Sequence, residues 1–350
     1  MRIIISILLL ISSLLFLIVM IPISHAEITL DGTLGPSGSL PGPDYVISDD
    51  LGSLHGSNLF HSFGEFSVLT DESATFTGPD IIENVIGRVT GSNSSFIDGL
   101  LSCTILDANL FLLNPSGVMF GPNATLDVNG SFHVSTADFI RLSDNGIFYA
   151  DPAQNSVLTV APPSAFGFLG DNPSSISIEG SLLQVPEGKT LSIIGGDISI
   201  NNGTLYAPGG RINLASVASQ GEVTLEASGL GVDTFESLGT INISHSSDEH
   251  IEIDDTEIGN IDVSGTPGGT VYIRGGHFTL DGGYVFSDTY GDTDSDGGID
   301  IRIREDVSLI NGSWITANPF GSGNGGDIYM DVGTLSMMDG GGISGSRWYW

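Results

Sequence analysis

Between Ala108 and Asp138, ANLFLLNPSGVMFGPNATLDVNGSFHVSTAD, apolar residues come in short runs, broken by turn formers at intervals too short for helices. Leu110–Leu113, Val118–Phe120 and Ser131–Val134 read as strands. Asn114-Pro115-Ser116-Gly117, Gly121-Pro122-Asn123 and Asp127-Val128-Asn129-Gly130 read as the turns between them. In the first of these, Asn suits the opening position of a type I turn, Pro presets φ at about −65° in the second, and Gly fits the fourth.

The second half of the chain repeats. Gly268-Gly269-Thr270-Val271-Tyr272-Ile273, Gly297-Gly298-Ile299-Asp300-Ile301 and Gly325-Gly326-Asp327-Ile328-Tyr329-Met330 each set Gly-Gly before an alternating apolar strand, at a period of about 28 residues. Gly195-Gly196-Asp197-Ile198-Ser199-Ile200 and Gly209-Gly210-Arg211-Ile212-Asn213-Leu214 share the form at a shorter interval, with looser echoes at 223–225, 241–243 and 261–263. Leu280-Asp281-Gly282-Gly283, Leu309-Ile310-Asn311-Gly312 and Leu335-Ser336-Met337-Met338-Asp339-Gly340 precede further short strands at Tyr284–Phe286, Trp314–Ile315 and Ile343. Fixed-period repetition sets equivalent residues above one another, so Ile, Val and Leu stack inside while each backbone pairs with the coil above and below. The pattern predicts an all-β, single-stranded parallel β-helix with strands of three to five residues; a β-sandwich, the main competitor, carries no such register. At roughly 20 to 28 residues per coil and about 4.8 Å between coils, the rod would be on the order of 60 to 75 Å long.

The N-terminus sets the compartment. Met1-Arg2 supplies a positive charge, Ile3 to Met20 is almost wholly apolar, and Ser24-His25-Ala26 offers small residues where a signal peptidase cuts. Residues 1–26 are expected to be a signal peptide and Glu27 the mature start, although an apolar run of about 18 residues also suits an uncleaved anchor. No later run is apolar enough to cross a membrane as a helix. With 9 Lys+Arg against 42 Asp+Glu the net charge is −33, which opposes nucleic acid and anionic lipid as partners. The lone Cys103, among Leu100, Leu101 and Ile105, reads as a small buried hydrophobe. With no internal disulfide, stability must come from packing and backbone pairing.

From Glu27 to about Leu169 the chain resembles the amino-terminal secretion domain of the filamentous haemagglutinin family, the exported partner in two-partner secretion. The carriers are Ile28-Thr29-Leu30-Asp31-Gly32-Thr33-Leu34-Gly35, Asn58-Leu59-Phe60-His61-Ser62-Phe63, Arg88-Val89-Thr90-Gly91, the stretch Ala108–Gly121 and Val128-Asn129-Gly130-Ser131-Phe132. The resemblance implies a right-handed β-helix with an N-terminal secretion-domain cap. It also implies threading of the unfolded chain through an outer-membrane β-barrel transporter whose periplasmic domains recognise it, and folding outside the cell. The family's Asn-Pro-Asn-Gly motif falls on Asn114, Pro115, Ser116 and Gly117, with Ser in the third place; its second motif, Asn-Pro-Asn-Leu, is absent, and Gly121-Pro122-Asn123-Ala124 is the nearest match. The division expected is 1–26 signal peptide, 27–170 secretion domain and 171–350 Gly-rich coils. Because Arg347-Trp348-Tyr349-Trp350 follows soon after a repeat begins, the coils are expected to be truncated. The reading is a secreted surface adhesin, whose receptor on a host cell or other surface, glycan or protein, has no signature in the chain. Freedom from disulfides suits export of an unfolded chain, and coils stacking outside would discourage back-sliding.

Other chemistry is thinner. Asp292-Thr293-Asp294-Ser295-Asp296-Gly297 opens like a calcium-binding loop, but the twelfth position is Ile303 where a bidentate Glu belongs, so a solvated acidic corner is the default and calcium the one cofactor considered. His245 and His250 lie near Asp248, Glu249, Glu252, Asp254 and Asp255 without the spacing of a zinc protease motif. A β-helical polysaccharide lyase or hydrolase would need a base, and Arg211, Arg274, Arg302 and Arg304 are the few cations in the helix; none sits in a catalytic constellation, so no enzyme is expected. A surface-layer protein is the remaining alternative, with Trp314, Phe320, Trp348, Tyr349 and Trp350 as contact aromatics.

Overall fold

The computed structural model describes residues 27–345 apart from 228, 247–250, 254 and 255. The signal-peptide expectation and the last three aromatics lie outside the described residues, as do His250 and most of its acidic neighbours. Short strands wind through three walls. Residues 109–135 make one complete turn of the coil: Asn109–Leu113 in the first wall, Val118–Phe120 in the second, Thr125–Val128 in the third, and Phe132–Ser135 back in the first, one rung up. Strand and turn residues there fall where the alternation predicts, with one correction. Thr125–Val128 is a strand paired in register with Leu100–Cys103, because Val128, set among Asp and Asn, still points inward beside Cys103.

Parallel pairing stacks the coils in register, as the repeat requires. In the first wall Leu59, Val85, Leu110, Phe132, Leu191, Ile212, Val271, Ile299 and Ile328 form one inward column. The second wall stacks Val118, Ile176, Ile198, Ile241, Phe278 and Val307, and the third stacks Ile47, Phe76, Cys103 and Val128, then Leu183, Leu205, Ile261, Val285 and Ile315. Nearly all are fully buried, each contributing about 1.5–3 kcal/mol relative to exposure. Cys103 is a free, buried thiol whose pKa burial pushes up, which makes it a small hydrophobe. At the N-terminal end Ile28–Asp31 runs antiparallel to both Ser37–Ser39 and Asn58–Phe66, covering a strand edge that would otherwise present free N–H groups.

The coils differ from the sequence expectation in two ways. In the later coils Thr270–Asp281, Gly298–Ile310 and Asp327–Met337 are continuous strands that pass through both first and second walls with an irregularity at the bend, longer than the three to five residues expected. The second difference is a five-stranded antiparallel sheet outside the coils, built from Phe139–Leu142, Ile147–Tyr149 and Pro163–Phe168 together with Gly221–Glu226 and Gly229–Gly231. Both of its segments leave the coil at the same corner, between the first and second walls. The sheet covers the outer face of the first wall, where Phe60, Ile86 and Phe111 face outward, and makes a second apolar core with Ile140, Phe148, Phe166, Val223 and Leu230. Because these residues do not advance the stack, nine first-wall rungs spaced by about 4.8 Å span only about 38 Å, well short of the expected rod.

Candidate functional site

Asn114-Pro115-Ser116-Gly117 is the first-to-second-wall corner of its coil, directly beneath the corner from which the outer sheet departs. The turn closes with Gly117 N–H donating to Asn114 O at 3.1 Å, and Gly117 sits at φ +110°, where a side chain would be strained. Asn114 is fully buried. Its Oδ1 accepts from Ser116 N–H at 2.9 Å, while its Nδ2 donates to Asn93 O at 3.1 Å and Ser95 Oγ at 2.9 Å in the coil below. Ser116 Oγ donates to Gly91 O at 3.2 Å. Pro115 O accepts from Ser174 Oγ at 2.6 Å, and Val118 N–H donates to Ser175 O, so the returning end of the outer segment rests on the turn.

Two further clusters, which the sequence reading did not single out as sites, hold the same segment. Asn58, Asn84 and Asn109 stack at the start of the first wall: Asn109 Nδ2 donates to Asn84 Oδ1 at 3.1 Å and Asn84 Nδ2 to Asn58 Oδ1 at 2.9 Å. Asn58 Nδ2 then reaches the carbonyls of Thr159 and Ala161 at 3.0 and 2.7 Å. At the other end of these strands Arg88, almost fully buried, donates to Ser62 Oγ at 2.7 Å, Thr33 Oγ1 at 2.8 Å and Tyr149 O at 2.5 Å, with its guanidinium 4.7 Å from the Phe148 ring centroid. Asp31 completes the network, accepting from Ser62 Oγ at 2.7 Å, Thr33 N–H at 2.9 Å and Thr90 Oγ1 at 3.1 Å. Burial pushes the Asp31 carboxyl up, but these hydrogen bonds outweigh it and hold the carboxyl below the usual range; burial lowers Arg88, with Asp31 opposing. A cation inside the apolar run Val85-Ile86-Gly87-Arg88-Val89 is the signal by which the sequence could have disclosed this cluster.

The remaining candidates fall elsewhere. Asp292 accepts from Ser322 Oγ, and Asp294 accepts from Asn324 N–H at 2.7 Å, so two of the three carboxylates clasp the equivalent loop of the next coil; Asp296 lines the shallow cleft beside them. Among the described residues no three His, Cys, Asp or Glu side chains converge as metal ligands. Phe320 packs against Tyr290 as a tilted ring pair at 5.7 Å. Arg211 and Arg274 both pack on the Tyr272 ring, at 5.1 and 5.3 Å, and Arg274, Arg302 and Arg304 share one cleft.

The motifs that carry the family resemblance thus converge on the joints between the first coils, the cap and the outer sheet. The TPS secretion domain matches residues 26–273, well over half of the chain. The chain belongs to that family. It is a two-partner secretion exoprotein, and exoproteins carrying the TPS domain are secreted across the outer membrane to the cell surface or medium. A heme/hemopexin-binding protein of Haemophilus influenzae is 35% identical over 81 residues, which are 23% of this chain and 8% of that protein's length. Among solved structures, a filamentous hemagglutinin secretion domain aligns with TM-score 0.47 and 16% identity over 91% of this chain and 99% of its own. The HMW1 secretion domain from Haemophilus influenzae aligns with TM-score 0.37 and 18% identity over 90% and 98%. The TPS match continues past residue 170 and takes in both segments of the outer sheet.

Proposed function

We propose that this TPS exoprotein is recognised while unfolded by a cognate outer-membrane β-barrel transporter, and that once folded it serves as a surface adhesin with no enzymatic step. The burial of Asn114 carries the export reading. A side chain with no exposed surface and its amide fully engaged within the folded coil can be read by a partner only before the coil forms. The secretion unit extends to about residue 273 instead of ending near 170, because the outer sheet that its signature residues anchor draws strands from both sides of that point. The 35%-identical relative is by name a binding protein, which supports binding over catalysis.

The test is secretion of the full chain from a Gram-negative host with and without the transporter. Wild type is expected in the medium only when the transporter is present. Asn114→Ala, which unpairs a Ser116 N–H, an Asn93 carbonyl and a Ser95 hydroxyl, is expected to cost about 2–4 kcal/mol in refolding experiments and to cut secretion severalfold. Ser116→Asn is expected to cost no more than about 1 kcal/mol, since it keeps the Ser116 N–H bond to Asn114 Oδ1 and gives up only the hydroxyl bond to Gly91 O. Transporter-independent release would overturn the route, and Asn114→Ala secreted at the wild-type rate would remove the motif's role.

A further inference from the structure

Three of the chain's 9 Lys+Arg residues meet in one cleft of about 410 Å³, which Asp233 and Asp331 also line, between the outer-sheet segment 230–238 and the bend of the later coils. Arg274 and Arg302 stand directly opposite each other on adjacent coils, a like-charge pairing that is unfavourable in a sheet unless something offsets it. Asp300 offsets it, lying 2.9 Å from Arg274 Nη1 and accepting from Arg302 Nε at 3.1 Å and Nη2 at 3.0 Å, and Asp331 stands opposite Arg302 on the next coil, which among the described residues leaves Arg304 as the free cation of the three. Arg274 is almost fully buried and further fixed by the carbonyls of Leu230 at 2.9 Å and Asp300 at 2.7 Å. Arg304, two residues along on the same face as Arg302, is exposed and oriented by the carbonyls of Phe235 at 2.9 Å and Glu236 at 2.8 Å. It has no carboxylate partner among the described residues. Coil stacking does not call for this cluster, since the register position below Arg274 is Ala215.

We propose that the cleft is a binding site for an organic carboxylate, received by the guanidinium of Arg304 beside that of Arg302, with its body against Val232, Leu238 and Val332. An anchored, unpaired guanidinium supplies planar paired donors that match a carboxylate, and the volume and mixed lining suit a small ligand or one sugar residue. The carboxylate has two sources, a free acid with an apolar body or the uronate residue of an acidic glycan. This inference is independent of the export route and goes beyond adhesion in naming the group recognised.

Calorimetric titration of the full exported chain with benzoate and with glucuronate, against benzamide and glucose as neutral counterparts, tests it. Saturable binding of at least one carboxylate is expected, without its neutral counterpart, and weakened at least about tenfold in Arg304→Gln. Tighter benzoate identifies the apolar acid, and tighter glucuronate the glycan. Should Arg304→Gln fail to fold, Arg302→Gln, whose side chain is exposed, carries the same expectation. Binding of neither carboxylate, equal binding of the neutral counterparts, or unchanged affinity in the folded variant overturns the proposal.

Discussion

His61 stands in the inward column that continues as Gly87, Leu112 and Val134, fully buried and packed on the Phe63 and Phe76 rings at 5.9 and 5.6 Å. Neither ring nitrogen has a hydrogen-bond partner among the described residues. Burial pushes its pKa down to about 4, and that of His133, buried against Phe111 with Ser192 Oγ 2.9 Å away, down to about 3. Below the ordinary histidine value of 6.5 the unfolded chain takes the proton first, so their stabilisation is complete above pH 6.5 and is lost as the pH falls toward 4 and 3. Asp262 acts with the opposite sign: burial raises it to about 6, so below that pH the folded chain takes the proton first. A variant isolates the histidine. His61→Leu is expected to be at least as stable as wild type at pH 7 and to retain about 2 kcal/mol more on passing to pH 5. Urea midpoints at the two pH values read it, and parallel slopes for both proteins would mean that His61 is charged or hydrated in the fold. The same contrast governs legibility. The Asn114–Gly117 turn was legible because its chemistry is local, whereas the Arg88 network was not, because its partners Thr33, Ser62 and Tyr149 are brought in from distant strands.

At the scale of elements, alternation disclosed strands without telling which wall they join. Gly195-Gly196-Asp197 and Gly209-Gly210-Arg211 look like two copies of one unit, yet the first opens a second-wall strand at Ile198 and the second a first-wall strand at Arg211. The looser echoes scatter further: 241–243 lies in the second wall, Ile261 in the third, and 223–225 in the outer sheet, antiparallel to Ala165 and Phe166. A period of two is the same for every wall, so only long-range pairing separates them. The later repeats were read in place because no insertion interrupts their coils. The outer sheet escaped notice because its strands alternate with the same period of two, and it now makes a prediction about boundaries. A fragment of residues 27–170 keeps Pro163–Phe168 but loses Gly221–Glu226, uncovering Phe166 and Phe168 and the Phe168–Phe235 contact at 5.9 Å. Residues 27–275 are expected to unfold cooperatively and bind little hydrophobic dye. Residues 27–170 are expected to bind the dye and melt lower; equal midpoints would place the end of the folding unit near 170 after all.

Across the whole molecule the net charge of −33 finds little internal compensation. Among the described residues the ion pairs of Lys and Arg are Arg141 with Glu222, Lys189 with Asp107, and Arg274 and Arg302 sharing Asp300, so most carboxylates have no cationic partner. Folding brings some acidic residues of neighbouring coils together, Asp262 with Asp288 and Asp44, Asp71, Glu72 and Asp98 around one cleft. Folding therefore works against self-repulsion that salt can screen: the Debye length falls from about 30 Å at 0.01 M to about 3 Å at 1 M. The melting temperature is accordingly expected to rise by about 4 °C or more between 0.01 M and 1 M sodium chloride, equivalent to about 3 kcal/mol in a chain of this size. Choline chloride should act alike if screening is the cause, whereas a sodium-specific rise would point to a bound cation. A flat or falling curve would mean that the acidic residues are spaced widely enough around the coils for water alone to separate them.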